Sequence, residues 1–310
     1  MKQINISKID LNVLKIFEAL YEEGGASRAG LRLAITQSAV SAALNRLRTI
    51  YGDQLFTRTG RGLAPTSRAH ELKPIISDAL NKFRQSLGMG SHGESGYLGR
   101  SVLIGMSDDY EIAIGKVLLN AINKRMPGLR LALRQTHSQI ALEMVMRRET
   151  DLTITSGGLS SPLVSREALG EGGYACLIDP GSANTKSKAL DLGGYLDRKH
   201  ILISSGGFIG VVDEVLAALG HQRHVLASTT HFSALPFLLK GTDAVATMPT
   251  HAAHQIAQMT GLKMVRCPVS MPRYPIELGW LKSALRDPIV AEVKTIAMEL
   301  LAKKNWNKFG

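Results

Sequence analysis

A chain of 310 residues is long enough for about two domains, and 45% apolar against 20% charged residues exclude a disordered or collagen-like polymer. Among strictly apolar residues no run exceeds five (Tyr174 to Ile178, Val215 to Leu219), which excludes a helical membrane span of about 20 residues. The net charge of +11 is uneven: residues 1–90 hold 13 basic and 7 acidic side chains, and Arg28 to Arg68 holds seven arginines, no lysine and one acid, Asp53. Arginine forks suit phosphates and base edges, and a solvated basic face would have the same charge.

Met1 to Leu20 carries Lys2, Lys8, Asp10 and Lys15 where a secretory signal would be continuously apolar, so the expectation is a soluble, cytoplasmic chain. Asp10 can cap a helix whose stripe is Leu11, Leu14, Phe17, Ala19 and Leu20, and Gly24-Gly25 stops it. A short helix fits Ser27 to Leu33, and Thr36 starts another, Gln37 to Ile50. Val40, Ala43, Leu44 and Leu47 share one face of that third helix. Gln37, Ser38, Ser41, Ala42, Asn45, Arg46 and Arg48 form the outer face, which lacks the Glu and Lys of a solvated helix. Two short helices around the turn Ala34 to Thr36 make a helix-turn-helix, whose second helix enters the major groove by its N-terminal end. There Gln37 can pair bidentately with adenine and the Ala42 methyl can touch a thymine methyl. Leu55 to Arg58 and Leu63 to Pro65, around Thr59-Gly60-Arg61-Gly62, read as a hairpin wing carrying Arg58 and Arg61 toward phosphates.

The combination resembles the LysR-type transcriptional regulators. The resemblance runs through Asp10-Leu11-Asn12-Val13-Leu14, Ser27-Arg28-Ala29, Leu33, Thr36 to Leu44, Arg46-Leu47-Arg48, Gly52 to Arg58, Gly60-Arg61-Gly62 and Pro65-Thr66. It implies DNA binding by Arg28, Thr36, Gln37, Ser38, Ser41, Ala42, Asn45, Arg46, Arg48, Arg58 and Arg61. Three positions depart from the family's habit: Gly30 for alanine, Ala34 for glycine and Ser38 for proline. Gly30 should cost about 1 kcal/mol of helix propensity.

Thr66 can cap a helix from Ser67 to about Leu87, with a stripe of Leu72, Ile75, Ile76, Ala79, Leu80, Phe83 and Leu87. Such a helix packs either on its own domain or on a partner helix. The resemblance implies an antiparallel dimer through Leu72, Ile76, Leu80, Phe83 and Leu87, in a homodimer or homotetramer, with RNA polymerase as a further partner. Gly88 to Gly99, with glycines at 88, 90, 93, 96 and 99, reads as a linker.

From Ser101 strands and helices alternate, which implies parallel α/β sheets. Strands are expected at Val102 to Met106, Leu129 to Arg134, Leu152 to Ile154, Tyr174 to Ile178, Lys199 to Ile203, Val225 to Ser228, Ala244 to Met248, Lys263 to Val265 and Ile276 to Trp280. Helices are expected at Tyr110 to Arg125, Gln139 to Arg148, Val211 to Leu219, Phe232 to Lys240 and Asp287 to Lys303. A chain that leaves one subdomain near Gly170 and returns near Pro272 makes a hinged, two-lobed domain. The resemblance therefore implies an α/β fold with an α-rich N-terminal part: a winged helix-turn-helix (1–66), a linker helix and hinge (67–97), and a two-lobed effector domain like periplasmic binding proteins (98–310). Lobe I takes about 98–170 and 273–302, and lobe II about 171–272.

Ligands of open α/β sheets sit at the carboxyl ends of strands, beside helix N-termini. Candidates are Ser107 and Asp108, Thr136 and His137, Ser204, Ser205 and Gly206, His231 and Phe232, and Thr247; each alone can equally be a helix cap or a structural group. Thr230 to Pro236 and Asp243 to Pro249 resemble the branch of nodulation and aromatic-acid regulators, yet Gly173 and Ile209 stand where aromatic-acid responders can have histidines. The expected effector is a small organic anion or aromatic compound, with no cofactor and no metal.

No catalytic constellation emerges. Gly105-Met106-Ser107 lacks the closing glycine of a nucleophile elbow, and Gly206 to Gly210 lacks phosphate-loop spacing. His251 and His254 have no glutamate or third ligand beside them. Cys176 and Cys267 are too few for a disulfide framework or cysteine-based zinc site, although they can meet across the hinge as a redox pair. The competing reading, a cytoplasmic solute-binding module or an enzyme built on the two-lobed domain, leaves residues 10–87 without a role.

Overall fold

The computed structural model describes residues 10–60, 62–88, 97, 100–182, 190–204 and 206–308. Arg61, Ser205, the side chain of Leu87 and most of the glycine-rich linker lie outside the described residues. The chain forms two compact units, Met1–Gly96 and Tyr97–Gly310.

In the first unit, α1 (Asn12–Glu23), α2 (Ala26–Leu33) and α3 (Gln37–Tyr51) precede a hairpin of β1 (Phe56–Thr59) and β2 (Gly62–Pro65), and α4 (Ser67–Gly88) follows. The Asp10 carboxylate accepts from the Asn12 N–H at 2.9 Å and starts α1. Thr36 Oγ1 accepts from the Ala39 N–H at 3.2 Å and caps α3. The core gathers Phe17, Leu20, Val40, Leu44, Leu47, Leu55 and Phe56. Around it, Arg32 reaches Glu22 at 2.5 Å, Lys73 reaches Glu22 at 3.2 Å, and Ser77 bonds Glu18 at 3.0 Å, fixing α2 and α4 to α1.

Helix α4 divides its apolar stripe. Leu72, Ile76 and Leu80 are buried in the unit's own core, whereas Ile75, Ala79 and Phe83 are exposed on another face. This corrects the expected dimer seam: three of its residues are occupied at home, because the stripe is wider than one interface.

The second unit holds two sheets. One has the order β4-β3-β5-β12-β6, from β3 (Ser101–Met106), β4 (Arg130–Gln135), β5 (Leu152–Thr155), β6 (Val164–Gly172) and β12 (Tyr274–Leu281). The other has the order β11-β7-β10-β8-β9, from β7 (Tyr174–Ile178), β8 (Lys199–Ile203), β9 (His224–Thr229), β10 (Val245–Pro249) and β11 (Lys263–Val265). Both are mixed rather than parallel: β12 runs antiparallel to β5 and β6, and β7 antiparallel to β10 and β11. The chain crosses between lobes twice, so a strand on each return must run backwards.

Lobe I packs α5 (Asp108–Arg125) and α11 (Pro288–Leu301) on its sheet, with α6 (Ala141–Met146) in a small cluster of its own. Lobe II carries α7 (Leu192–Leu196), α8 (Val211–Ala218), α9 (Leu235–Leu239) and α10 (Thr250–Thr260). The expected helix from Phe232 begins as a 3-10 turn, Phe232–Ala234, and becomes α-helical only at Leu235. Residues 302–308 turn back over the first crossing, where Trp306 Nε1 donates to the Leu169 carbonyl at 2.8 Å and Asn307 Nδ2 to the Glu171 carbonyl at 2.8 Å.

Candidate functional site

In the first unit, a cleft of about 640 Å³ lies between α2, α3 and the hairpin, lined by Arg28, Gln37, Ser41, Asn45, Arg48 and Arg58 among others. Gln37, Ser38, Ser41, Ala42, Asn45 and Arg46 are exposed on one side of α3, while Val40, Ala43, Leu44 and Leu47 are buried on the other. The exposed face begins at the helix N-terminus, where unpaired N–H groups favour anions. Thr36 is occupied as the cap, and its hydroxyl also lies 2.9 Å from Ser38 Oγ.

Two neighbours set the side chains of this face. The Ser27 hydroxyl donates to Gln37 Oε1 at 3.2 Å. Arg48 is committed to the protein: Nε donates to the Gln54 carbonyl at 2.9 Å, Nη2 to the Phe56 carbonyl at 3.1 Å and Nη1 to Asn45 Oδ1 at 3.2 Å. It ties α3 to the hairpin while lining the cleft. Arg46 lies 3.9 Å from Asp10, exposed, and Arg58 is exposed on β1 opposite Leu63.

The hairpin is anchored at its base. Asp53 accepts from the Leu55 N–H at 2.6 Å and from the Thr66 hydroxyl at 2.8 Å, and these bonds hold its carboxyl below the ordinary range. At the helix-turn-helix turn, Ile35 N–H donates to the Gly30 carbonyl at 3.0 Å, and a Cβ on Gly30 would come within 2.8 Å of the Ile35 carbonyl. That close approach explains the glycine where the resembling family has alanine. Ala34 sits in the left-handed region, φ 54°, where the family has glycine.

In the second unit, the strand ends bring most of the candidates together. Thr136 N–H donates to the Met106 carbonyl at 3.1 Å, so Thr136 lies beside Ser107 at neighbouring strand ends. Asp108 Oδ2 accepts from the Ser233 N–H at 3.1 Å and the Ser233 hydroxyl at 3.2 Å, and His231 Nδ1 stands 3.9 Å from it, so Asp108 joins the lobes. Ser204 N–H donates to the Thr229 carbonyl at 2.9 Å, placing Ser204 next to the segment that carries His231 and Phe232. Gly206 N–H turns back to Ser204 Oγ at 3.2 Å, and His137 opens α6 with its carbonyl. Thr136 is fully buried, and among the described residues its hydroxyl has no partner.

Thr247 departs from this group. It lies within β10, and its hydroxyl faces Tyr195 at 2.7 Å and Cys176 at 3.5 Å inside lobe II. Its sequence position suggested a strand end, but β10 continues to Pro249.

Sequence reasoning missed the strongest link between the lobes. His251 Nε2 lies 2.9 Å from Asp109 Oδ2, with both side chains buried, and Ser107 Oγ donates to the other Asp109 oxygen. The His251 ring stacks on Tyr110 at 4.9 Å, and Trp306 stands edge-on to both rings. Burial pushes the Tyr110 hydroxyl well up, with the Asp109 charge adding to it. In the sequence, His251 stands out only through its spacing from His254, a pair with no third metal ligand beside it. Among the described residues, no group of three His, Cys, Asp or Glu side chains could hold a metal ion. Nor is any helix there long and apolar enough to cross a membrane.

Gly173 marks a difference from regulators with histidine there. A Cβ at Gly173 would come within 2.6 Å of Asn307 Oδ1, so the C-terminal segment fills the space a histidine would need. Ile209, the other such position, is 77% exposed.

Residues 11–70 match the family model described as bacterial regulatory helix-turn-helix protein, lysR family, and residues 98–302 match the LysR substrate binding domain. Nodulation protein D 1 of Rhizobium leguminosarum bv. phaseoli is 29% identical over 274 residues, 88% of this chain and 87% of that protein. The transcriptional activator NahR of Pseudomonas putida is 27% identical over 279 residues, 89% of this chain and 92% of that protein. The probable transcriptional regulator PA0477 of Pseudomonas aeruginosa superposes with a TM-score of 0.67 at 27% identity, covering 93% of this chain and 98% of that one. The regulator CbnR, solved with its target DNA, shares the fold at 16% identity and a TM-score of 0.59, covering 93% of this chain and all of that one. The chain belongs to the LysR family: it is a DNA-binding transcriptional regulator with a two-lobed effector-binding domain.

Proposed function

We propose that α3 reads base edges in the major groove through Gln37, Ser38, Ser41, Ala42 and Asn45, while Arg28, Arg46, Arg58 and Arg61 hold phosphates. The exposed polar face of α3, open to the cleft beside the arginine-bearing hairpin, carries this reading. Residues 1–66 then form the DNA-binding part, 67–97 the dimerising helix and linker, and 98–310 the effector domain. The dimer forms through the Ile75, Ala79 and Phe83 face of α4, which leaves the buried Leu72 face to the core. RNA polymerase and higher assembly are partners of the DNA-bound dimer, which works at the nucleoid.

A small molecule binds between the lobes against Ser107, Asp108, Thr136, His137, Ser204, Ser205, Gly206, His231 and Phe232. With Asp108 on one wall, a hydroxylated aromatic compound fits better than a carboxylate anion. To act as a switch it must favour one lobe arrangement over the other, which alters the geometry of the DNA-bound oligomer. We read the role as regulatory rather than enzymatic: the Ser107 hydroxyl donates to Asp109, whose other oxygen holds His251, so Ser107 is not paired with an imidazole as an activated nucleophile would be. Selection of bound duplexes from a random library tests the reading. The expected result is a pair of inverted half-sites a whole number of helical turns apart; a featureless pool would overturn it.

A further inference from the structure

Lobe II carries a pair of thiols that the regulator's DNA and effector chemistry does not use. Cys176, on β7, and Cys267, just past β11, lie with their sulfurs 3.5 Å apart. They do not face each other across the hinge, because both belong to lobe II: β11 lies against β7 with Val265 opposite Cys176. Cys176 is fully buried, and Cys267 is partly exposed. A disulfide needs about 2 Å between sulfurs, so each has only a fraction of an ångström to move.

The positions in the chain matter as much as the distance. Cys176 is the third residue of the strand by which the chain enters lobe II, and Cys267 lies shortly before β12, by which it leaves. The two crossings pass side by side there, with the rings of Tyr174 and Tyr274 5.3 Å apart. A bond between the thiols would close lobe II into a covalent loop at its neck.

We propose that Cys176 and Cys267 form an oxidisable dithiol that a hydroperoxide converts to a disulfide, fixing the neck of lobe II. The Cys267 thiolate attacks the peroxide oxygen, the O–O bond breaks, and a sulfenic acid forms as water or an alcohol leaves. Cys176 then attacks that sulfur, expelling hydroxide, which takes up the remaining thiol proton as water. Two thiols lose two electrons and the peroxide gains them. The hydrogen bond between the sulfurs, together with burial, pushes the Cys267 thiol up. Oxidation is therefore slow at neutral pH and accelerates about tenfold per pH unit, in step with the thiolate.

The test uses the full chain and hydrogen peroxide, followed by denaturation, alkylation and peptide mass mapping. The expected product has lost about 2 Da, joins the Cys176 and Cys267 peptides within one chain, and reverts with dithiothreitol. In Cys176→Ser, dimedone should trap a sulfenic acid at Cys267. Hydrogen exchange of residues 266–273 in the wild type should slow in the oxidised form, independently of how well the Cys176→Ser variant folds. Full alkylation of both thiols after peroxide would overturn the proposal. So would a gain of about 32 Da at Cys267 without a cross-link, or unchanged exchange at 266–273 after cross-linking.

Discussion

The Ser27 hydroxyl donates to the side-chain carbonyl of Gln37 at 3.2 Å, joining the first turn of α2 to the first turn of α3. The bond fixes which end of the Gln37 amide is the acceptor, and a carbonyl oxygen keeps a second lone pair for a base. Gln37→Ala should cost about 1–3 kcal/mol at one base pair of each half-site. Ser27→Ala should lose about 0.5–1.5 kcal/mol of the same discrimination. Neither should change the salt dependence. Anisotropy titrations on single-base operator variants check this; a loss equal on every sequence would contradict it.

Arg48 and Arg58 should separate cleanly. Arg48 holds two hairpin-side carbonyls, so Arg48→Ala should lower unfolding stability by about 1–3 kcal/mol, and lysine should not rescue the forked geometry. Arg58→Ala should leave stability unchanged and reduce the slope of log affinity against log salt by about 1. Urea unfolding and salt titrations of both variants distinguish the roles.

The helix-turn-helix turn predicts two substitutions with signs opposite to helix propensity. Gly30→Ala would ordinarily gain about 1 kcal/mol in a helix interior. Here its Cβ meets the Ile35 carbonyl, and a net loss of about 1–3 kcal/mol is expected. Ala34→Gly relieves a left-handed alanine and should gain about 0.5 kcal/mol after the entropy of glycine is counted. Thermal unfolding of the two variants should move in opposite directions.

His200 gives lobe II an acid limit. Burial pushes it down to about 4, against its hydrogen bond to the Tyr195 carbonyl, and the Arg223 guanidinium adds to the fall. Because the folded value lies below the unfolded value of about 6.5, the stabilisation is complete above pH 6.5 or so. It drains away as pH falls toward 4, at no more than about 1.4 kcal/mol per unit. His200→Gln keeps a donor for the carbonyl without titrating, so its stability should be flatter over this window in urea titrations.

The link between Asp109 and His251 should govern how firmly the lobes stay together. Removing the imidazole leaves a buried carboxylate short of a partner, and His251→Ala should cost about 1–3 kcal/mol. Small-angle scattering should show a wider effector domain for this variant, and an unchanged profile would contradict the assignment.

What could be read in the sequence was local. The third helix has its apolar and polar faces sorted by type, so its start at Gln37 and its exposed face are legible from the residues alone. Strand β6 is not legible there: Val164–Gly172 has no period-two apolar alternation and carries Arg166, Glu167 and Glu171 because it is a sheet edge, and only a few of its residues are buried. The Asp109–His251 pair spans 142 positions and leaves no local pattern. On α4, periodicity found the stripe but could not divide Leu72, Ile76 and Leu80 from Ile75, Ala79 and Phe83. That division depends on where α1 lies.

Fluorescence anisotropy of the purified full chain on DNA just upstream of its own gene, against scrambled DNA across a salt series, tests the central claim most directly. The account predicts sequence-selective binding that weakens as salt rises, and a reduced preference over scrambled DNA, with retained binding, in Gln37→Ala. Failure to bind any DNA at low salt would contradict it.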